Sequence, residues 1–163
     1  PPACSWCVVT GRASFSLPHD ARLSLGWPLW VALGLTPLGP LMAIMTGWAI
    51  WQPHWPALSS LIMGVVAAPV IEEIVFRGGL QSLLARNRTL RLAHVGPIGA
   101  ANALASVGFA AGHVVMRDSM AVALVFLPSL VLGWLYDRCG RLGPVIGVHA
   151  SYNLAWLTLL GPG

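Results

Sequence analysis

Five apolar stretches, separated by short polar breaks, organise the sequence: residues 25–51, 58–84, 97–116, 119–136 and 142–160. Each approaches the length of about 20 residues that a helix needs to cross the hydrocarbon core of a bilayer. The pattern predicts an all-α fold, a polytopic membrane bundle of about five transmembrane helices. Pro37 and Pro40 lie inside the first stretch and predict a kink there, while Trp27, Trp30, Trp48 and Trp51 cluster near its two ends as an interfacial belt would. The third stretch is rich in small residues and contains Gly108-x-x-x-Gly112, a spacing that lets helices approach closely in lipid.

Residues 1–23 are polar and irregular and are expected to form a tail, leaving residues 24–163 as one transmembrane domain with no room for a separate soluble one. The chain opens on Pro1-Pro2 without Met, the start expected of a trimmed or fragmentary product. No basic region followed by a short apolar run and a small-residue cleavage site is found, so no signal peptide is expected.

Composition strengthens the membrane reading. Hydrophobic residues make up 56% of the chain and charged residues only 9%, against roughly a quarter in soluble domains. The net charge of +4 comes from Arg alone, since there is no Lys. These Arg fall in the gaps between apolar stretches rather than on one patch, so no nucleic-acid partner is expected. Arg12 and Arg22 precede the first stretch, Arg86, Arg88 and Arg91 follow the second, and Arg138 and Arg141 follow the fourth, whereas the alternate loops hold no Arg or Arg117 beside Asp118. That asymmetry places the N-terminus inside and the C-terminus outside. Three cysteines, Cys4, Cys7 and Cys139, are too few for a disulfide framework, and the Cys4-x-x-Cys7 pair has no second pair to complete a zinc site.

The chemistry concentrates in three apolar stretches. Glu72 and Glu73 are the only glutamates, and both lie in a stretch expected to span the membrane, where a charge costs about 2.5 to 3.5 kcal/mol on insertion scales. Such groups are functional by default. Glu73 and Arg77 are four apart and share a helix face, as a plain salt bridge also would. Glu72 is rotated by about 100° from Glu73 and is the freer carboxylate, suited to a general base. His113 closes the third stretch, with Phe109 and Ser106 on its face. His149 and Asn153 are four apart in the fifth and should face the bundle interior. His19, His54 and His94 sit in the tail or loops and carry no expected role.

Three short motifs follow from these residues. Glu72-Glu73-Ile74-Val75-Phe76-Arg77 matches E-E-x-x-x-R, Phe109 to His113 matches F-x-x-x-H, and His149 to Asn153 matches H-x-x-x-N. In this order, on successive apolar stretches, they resemble the signature of the CaaX-processing and bacteriocin-processing family of intramembrane proteases, which includes the type II CaaX prenyl endopeptidases. The resemblance covers residues 58–160. It implies an intramembrane endopeptidase acting near the C-terminus or membrane anchor of a membrane-associated protein or peptide. By the resemblance, Glu72 and His113 activate a water, His149 and Asn153 form an oxyanion hole, and Glu73 and Arg77 hold the local geometry with Phe109 in support.

Other readings set the alternatives. A zinc version of the site would use Glu72, His113 and His149 as ligands. H-E-x-x-H is absent, so a metal-free glutamic mechanism with no cofactor is the expectation. Tyr136-Asp137 lacks the G-x-G-D partner of aspartyl intramembrane proteases, and no Ser sits in a G-x-S-x-G elbow. A non-enzymatic role, as a bacteriocin self-immunity factor or membrane scaffold, is the alternative from a different class. The compact, Arg-only chain suggests a bacterial inner-membrane protein with a membrane-anchored peptide or C-terminal tag as substrate.

Overall fold

The computed structural model describes residues 26–117 and 120–162; the expected tail, with Cys4, Cys7 and His19, lies outside the described residues, as does Asp118. Within them the chain is mostly helical, and the first apolar stretch is not one helix but two. Helix α1 (Gly26–Gly34) and helix α2 (Leu38–Met45) are joined by a turn over residues 35–37. Pro37 has no N–H to continue the ladder, so the expected kink is a full turn.

The stretch also ends earlier than the expected position 51. Gly47 takes a left-handed φ of 75°, Gly47 N donates to Ile44 O and Trp48 N donates to Ala43 O. This is a Schellman ending, and only glycine adopts that φ without strain. The chain then forms a short strand, β1 (Ala49–Trp51).

Helix α3 (Leu58–Leu84) follows the expected bounds of the second stretch. It is α-helical around Glu72 and Glu73 but widens to π-helical turns over Ile62–Ala67 and Ile74–Gln81. The following loop is more ordered than the sequence suggests. Asn87 caps a short helix α4 (Arg88–Leu92), its side chain accepting from Thr89 N and Leu90 N. Strands β2 (His94–Val95) and β3 (Ile98–Gly99) then pair antiparallel.

Helix α5 (Ala100–Arg117) corresponds to the third stretch. The fourth begins as a 3-10 segment, Met120–Val125, and continues as helix α6 (Phe126–Cys139), which Gly140 terminates at a φ of 61°. Helix α7 (Leu142–Leu159) is the fifth. It runs into β4 (Leu160–Pro162), which pairs antiparallel with β1 and so ties the ends of the first and last apolar stretches together. These two- and three-residue ladders are the departure from a purely helical fold.

Helix α3 packs between α5 and α7, α6 closes the other side against both, and α1 and α2 lie on α7, with α1 also on α6. Of the expected close-approach pair, Gly108 faces Leu80 and Phe76 at the α3–α5 crossing, whereas Gly112 faces open space.

The distribution of polarity is that of a protein dissolved in lipid. Two helical stretches, Gly26–Met45 and Leu58–Leu84, are long and apolar enough to cross a membrane. Only 11% of the apolar window of α3 is buried inside the protein. Ile62, Met63, Val66, Ile71, Ile74 and Val75 point outward, while Glu73, Arg77 and Gln81 point in and are sealed from the exterior. A soluble protein inverts that arrangement. Helices α5 and α7 bury Asn102, Ser106 and His149 in the same interior, and these polar residues lower their apolarity as sequences. A small apolar core of Ala32, Leu132, Trp134, Leu135, Val145 and Val148 joins α1, α6 and α7.

Candidate active site

Glu72 and Glu73 sit where α3 passes from an α-helical turn into its second π-helical stretch. Wide turns of this kind occur frequently at functional sites. The two carboxylates have different surroundings. Glu73 is fully buried, whereas the Glu72 side chain is 25% exposed.

Glu73 faces two cations or potential cations. Its Oε2 lies 3.2 Å from Arg77 Nε, one turn along the helix, and its Oε1 lies 2.8 Å from His149 Nδ1 on α7. The Arg77 contact is an ion pair by distance but is not aligned as a hydrogen bond. The well-formed hydrogen bonds of Arg77 go instead to α6, from one terminal nitrogen to Ser129 O at 2.9 Å and to Ser129 Oγ at 3.0 Å.

The imidazoles converge on Glu72. His149 Nε2 is 3.5 Å from Glu72 Oε2, and His113 Nε2 is 3.9 Å from Glu72 Oε1. Each ring is oriented by its other nitrogen. A carboxylate paired with Arg accepts only, so His149 Nδ1 donates to Glu73. A backbone carbonyl likewise accepts only, so His113 Nδ1 donates to Phe109 O at 3.0 Å. In their neutral forms both rings therefore turn an unprotonated Nε2 toward Glu72.

Phe109 packs these groups together. Its ring lies 4.3 Å from the His113 ring and 6.0 Å from the His149 ring, centre to centre, and the Arg77 guanidinium sits 5.3 Å from its centroid. Phe76 from α3 meets it edge-on at 5.0 Å.

The two imidazoles also line a cavity. His113, Ser129, His149 and Asn153 supply its polar wall, and Val125, Pro128, Leu132 and Tyr152 supply most of the apolar remainder. The Asn153 amide donates one N–H to Gly64 O at 2.7 Å, which leaves a second N–H on the same nitrogen. The Tyr152 hydroxyl donates to Ala32 O at 2.7 Å and ties α7 to α1.

The structure thus brings Glu72, Glu73, His113 and His149 into one cluster, with Asn153 on the adjoining cavity wall and Arg77 and Phe109 behind. His54 and His94 stay apart, each held by a loop carbonyl, Gln52 O and Arg91 O. Among the described residues no group of three His, Cys, Asp or Glu side chains is found that could hold a metal ion. Ser129 and Gln81 carry no motif and are common polar residues in their helices. Their partners lie more than 50 positions away, and no local spacing reveals them.

A family model described as type II CAAX prenyl endopeptidase, Rce1-like, matches residues 53–155, more than half of the chain. No curated protein and no solved structure matches the chain. The matched segment begins just ahead of α3 and ends within α7, and so contains every residue of the cluster.

Proposed function

Because the chain belongs to the Rce1-like family of type II CAAX prenyl endopeptidases, we propose that it hydrolyses a peptide bond with a water activated by Glu72. The observation that carries this reading is the convergence of His113 Nε2 and His149 Nε2 on the partly exposed Glu72, 3.9 and 3.5 Å away, beside a cavity.

The hydrogen-bond pattern supports an order of steps. Glu72 and the unprotonated Nε2 of His113 both accept, and a separation of 3.9 Å suits a water that donates one hydrogen to each. Such a water turns its lone pair into the cavity, toward a peptide carbonyl. Glu72 takes a proton as the water oxygen bonds to the carbonyl carbon, and returns it to the leaving nitrogen as the C–N bond breaks. The free N–H of Asn153 faces the developing oxyanion.

The role of His149 follows from its tautomer. A neutral ring has one N–H, and Glu73 already takes it. His149 therefore stabilises an oxyanion through Nε2 only as the imidazolium. The proposed chemistry needs no metal, since Glu72 supplies the base and Asn153 an oxyanion donor.

The architecture in this reading is a bundle of five spans, with α5, α6 and its 3-10 lead-in, and α7 joining the two strongly apolar helices around the site. Residues 24–163 are its transmembrane domain and 58–160 its protease core. The Arg pattern supports an N-terminus inside a bacterial inner membrane. The outward apolar face of α3 supports a substrate that arrives through lipid, a membrane-anchored protein or peptide cut near its C-terminus or anchor.

The test compares membranes from cells making wild-type protein or Glu72→Gln at equal level, by mapping protein C-termini. New C-termini that depend on Glu72 are expected. Identical C-terminal maps would overturn the enzymatic reading and leave the immunity or scaffold role.

A further inference from the structure

Arg77 is the largest fully buried side chain of the described residues, and it touches both halves of the site. Through Glu73 it reaches His149, and through the face of Phe109 it reaches His113. An ion pair within one helix cannot by itself set the distance between helices. What fixes Arg77 across the bundle is Ser129 on α6, by its carbonyl at 2.9 Å and its hydroxyl at 3.0 Å.

The contact is the first rung of a ladder. One turn further along α3, Gln81 donates to Gly133 O at 3.1 Å and to Asp137 Oδ1 at 2.8 Å. Arg77 thus faces Ser129 while Gln81 faces Gly133 and Asp137, with the same four-residue step on both helices. The inner side chains Glu73, Arg77, Gln81 and Ser129 are at most 1% exposed. Gly133 lets the rungs close. A Cβ there would strike Asn102 Oδ1 and come within 2.9 Å of Gln81 Oε1.

We infer that Ser129 is a positioning residue for the proposed protease site, acting through Arg77 on Glu73 and His149, with Gln81 and Gly133 holding the same two helices in register. The inference rests on the reading of Glu72 as base and His149 as oxyanion partner. Ser129 borders the cavity, but its side chain is fully buried and its hydroxyl oxygen accepts from Arg77. It sets which carboxylate oxygen Glu73 offers to His149 Nδ1, and hence which His149 nitrogen faces the cavity. Loss of the hydroxyl leaves the carbonyl bond in place, so the effect is graded rather than complete.

The experiment uses the whole protein in lipid nanodiscs, uniformly labelled with ¹⁵N-histidine, as wild type, Ser129→Ala and Gln81→Met. Two quantities are read: cleavage of a quenched farnesylated CaaX peptide, and the ring-nitrogen shifts of His149, assigned by their loss in His149→Gln. The wild-type ring is expected to show a protonated Nδ1. Ser129→Ala is expected to move the His149 ring-nitrogen shifts, with kcat lowered about tenfold, KM nearly unchanged and a displaced pH profile, as loss of one charge-assisted hydrogen bond implies. Gln81→Met, of similar size, is expected to move the same shifts to a smaller extent, and decides the matter if Ser129→Ala does not fold. Unchanged His149 shifts in the folded variants would overturn the inference, as would a kcat loss with no change in shifts or pH profile. Failure of the wild type to cleave any peptide would instead sink the protease reading, while the ring shifts would still judge the ladder.

Discussion

Glu73 holds His149 by Nδ1 at 2.8 Å and so leaves Nε2, 3.5 Å from Glu72, as the nitrogen that serves the cavity. Two adjacent glutamates therefore have different surroundings. One is sealed between Arg77 and an imidazole, and the other is partly exposed.

Substitution separates their proposed roles. Glu72→Gln is expected to lower kcat by about 10²- to 10⁴-fold, the usual contribution of a general base, with thermal stability close to wild type because the side chain is partly exposed. Glu73→Gln is expected to lower both, since it leaves the buried Arg77 charge without its counter-ion, a loss on the order of 3 kcal/mol. Activity assays and thermal melts in the same detergent check both outcomes. Equal loss of stability in the two variants would contradict the division of roles.

Asn153 carries a structural bond and a proposed functional one. Asn153→Ala is expected to slow cleavage by about 10²-fold, within the range for losing an oxyanion donor. It also leaves Gly64 O without its donor, so a modest drop in melting temperature should accompany the loss. Kinetics that show a raised KM with unchanged kcat would place Asn153 in ground-state binding instead.

Gly133 is expected to be intolerant of any side chain. Gly133→Ala puts a methyl group onto the Asn102 amide and against Gln81, and overpacking of that kind costs about 1 to 3 kcal/mol. A melting curve measures it. Full stability in Gly133→Ala would mean that α6 and α3 can separate freely at this point.

Chelation tests the donor arrangement. Activity is expected to survive removal of metal by a strong chelator, because the proposed chemistry activates the water with Glu72 alone. Activity that disappears on chelation and returns with zinc would refute the metal-free chemistry.

How much of this was legible in the sequence differs from part to part. Helix α3 was delimited well, because outward-facing Ile, Val and Met make it apolar throughout despite its charged inner face. The first stretch was not, since apolarity continues through Gly47 to Trp51 while the backbone turns, and a hydropathy pattern does not register a left-handed glycine. The short β1–β4 pairing joins residues more than 100 positions apart and leaves no local trace. Spacing put Glu73 with Arg77 and His149 with Asn153, as pairs within a helix. What spacing does not encode is the choice of partners across helices: Ser129 for Arg77, Phe109 O for His113 and Glu73 for His149 Nδ1. The tautomers, and with them the proposed roles of the two imidazoles, depend on those partners.

The most direct test of the account is the cleavage rate of purified protein in proteoliposomes, wild type beside Glu72→Gln, on a farnesylated CaaX peptide after chelator treatment. Cleavage by the wild type that the glutamine variant slows at least about 100-fold, with the fold intact by thermal melting, is the expected result. Equal rates in the two proteins would contradict the claim that the Glu72 carboxylate activates the water.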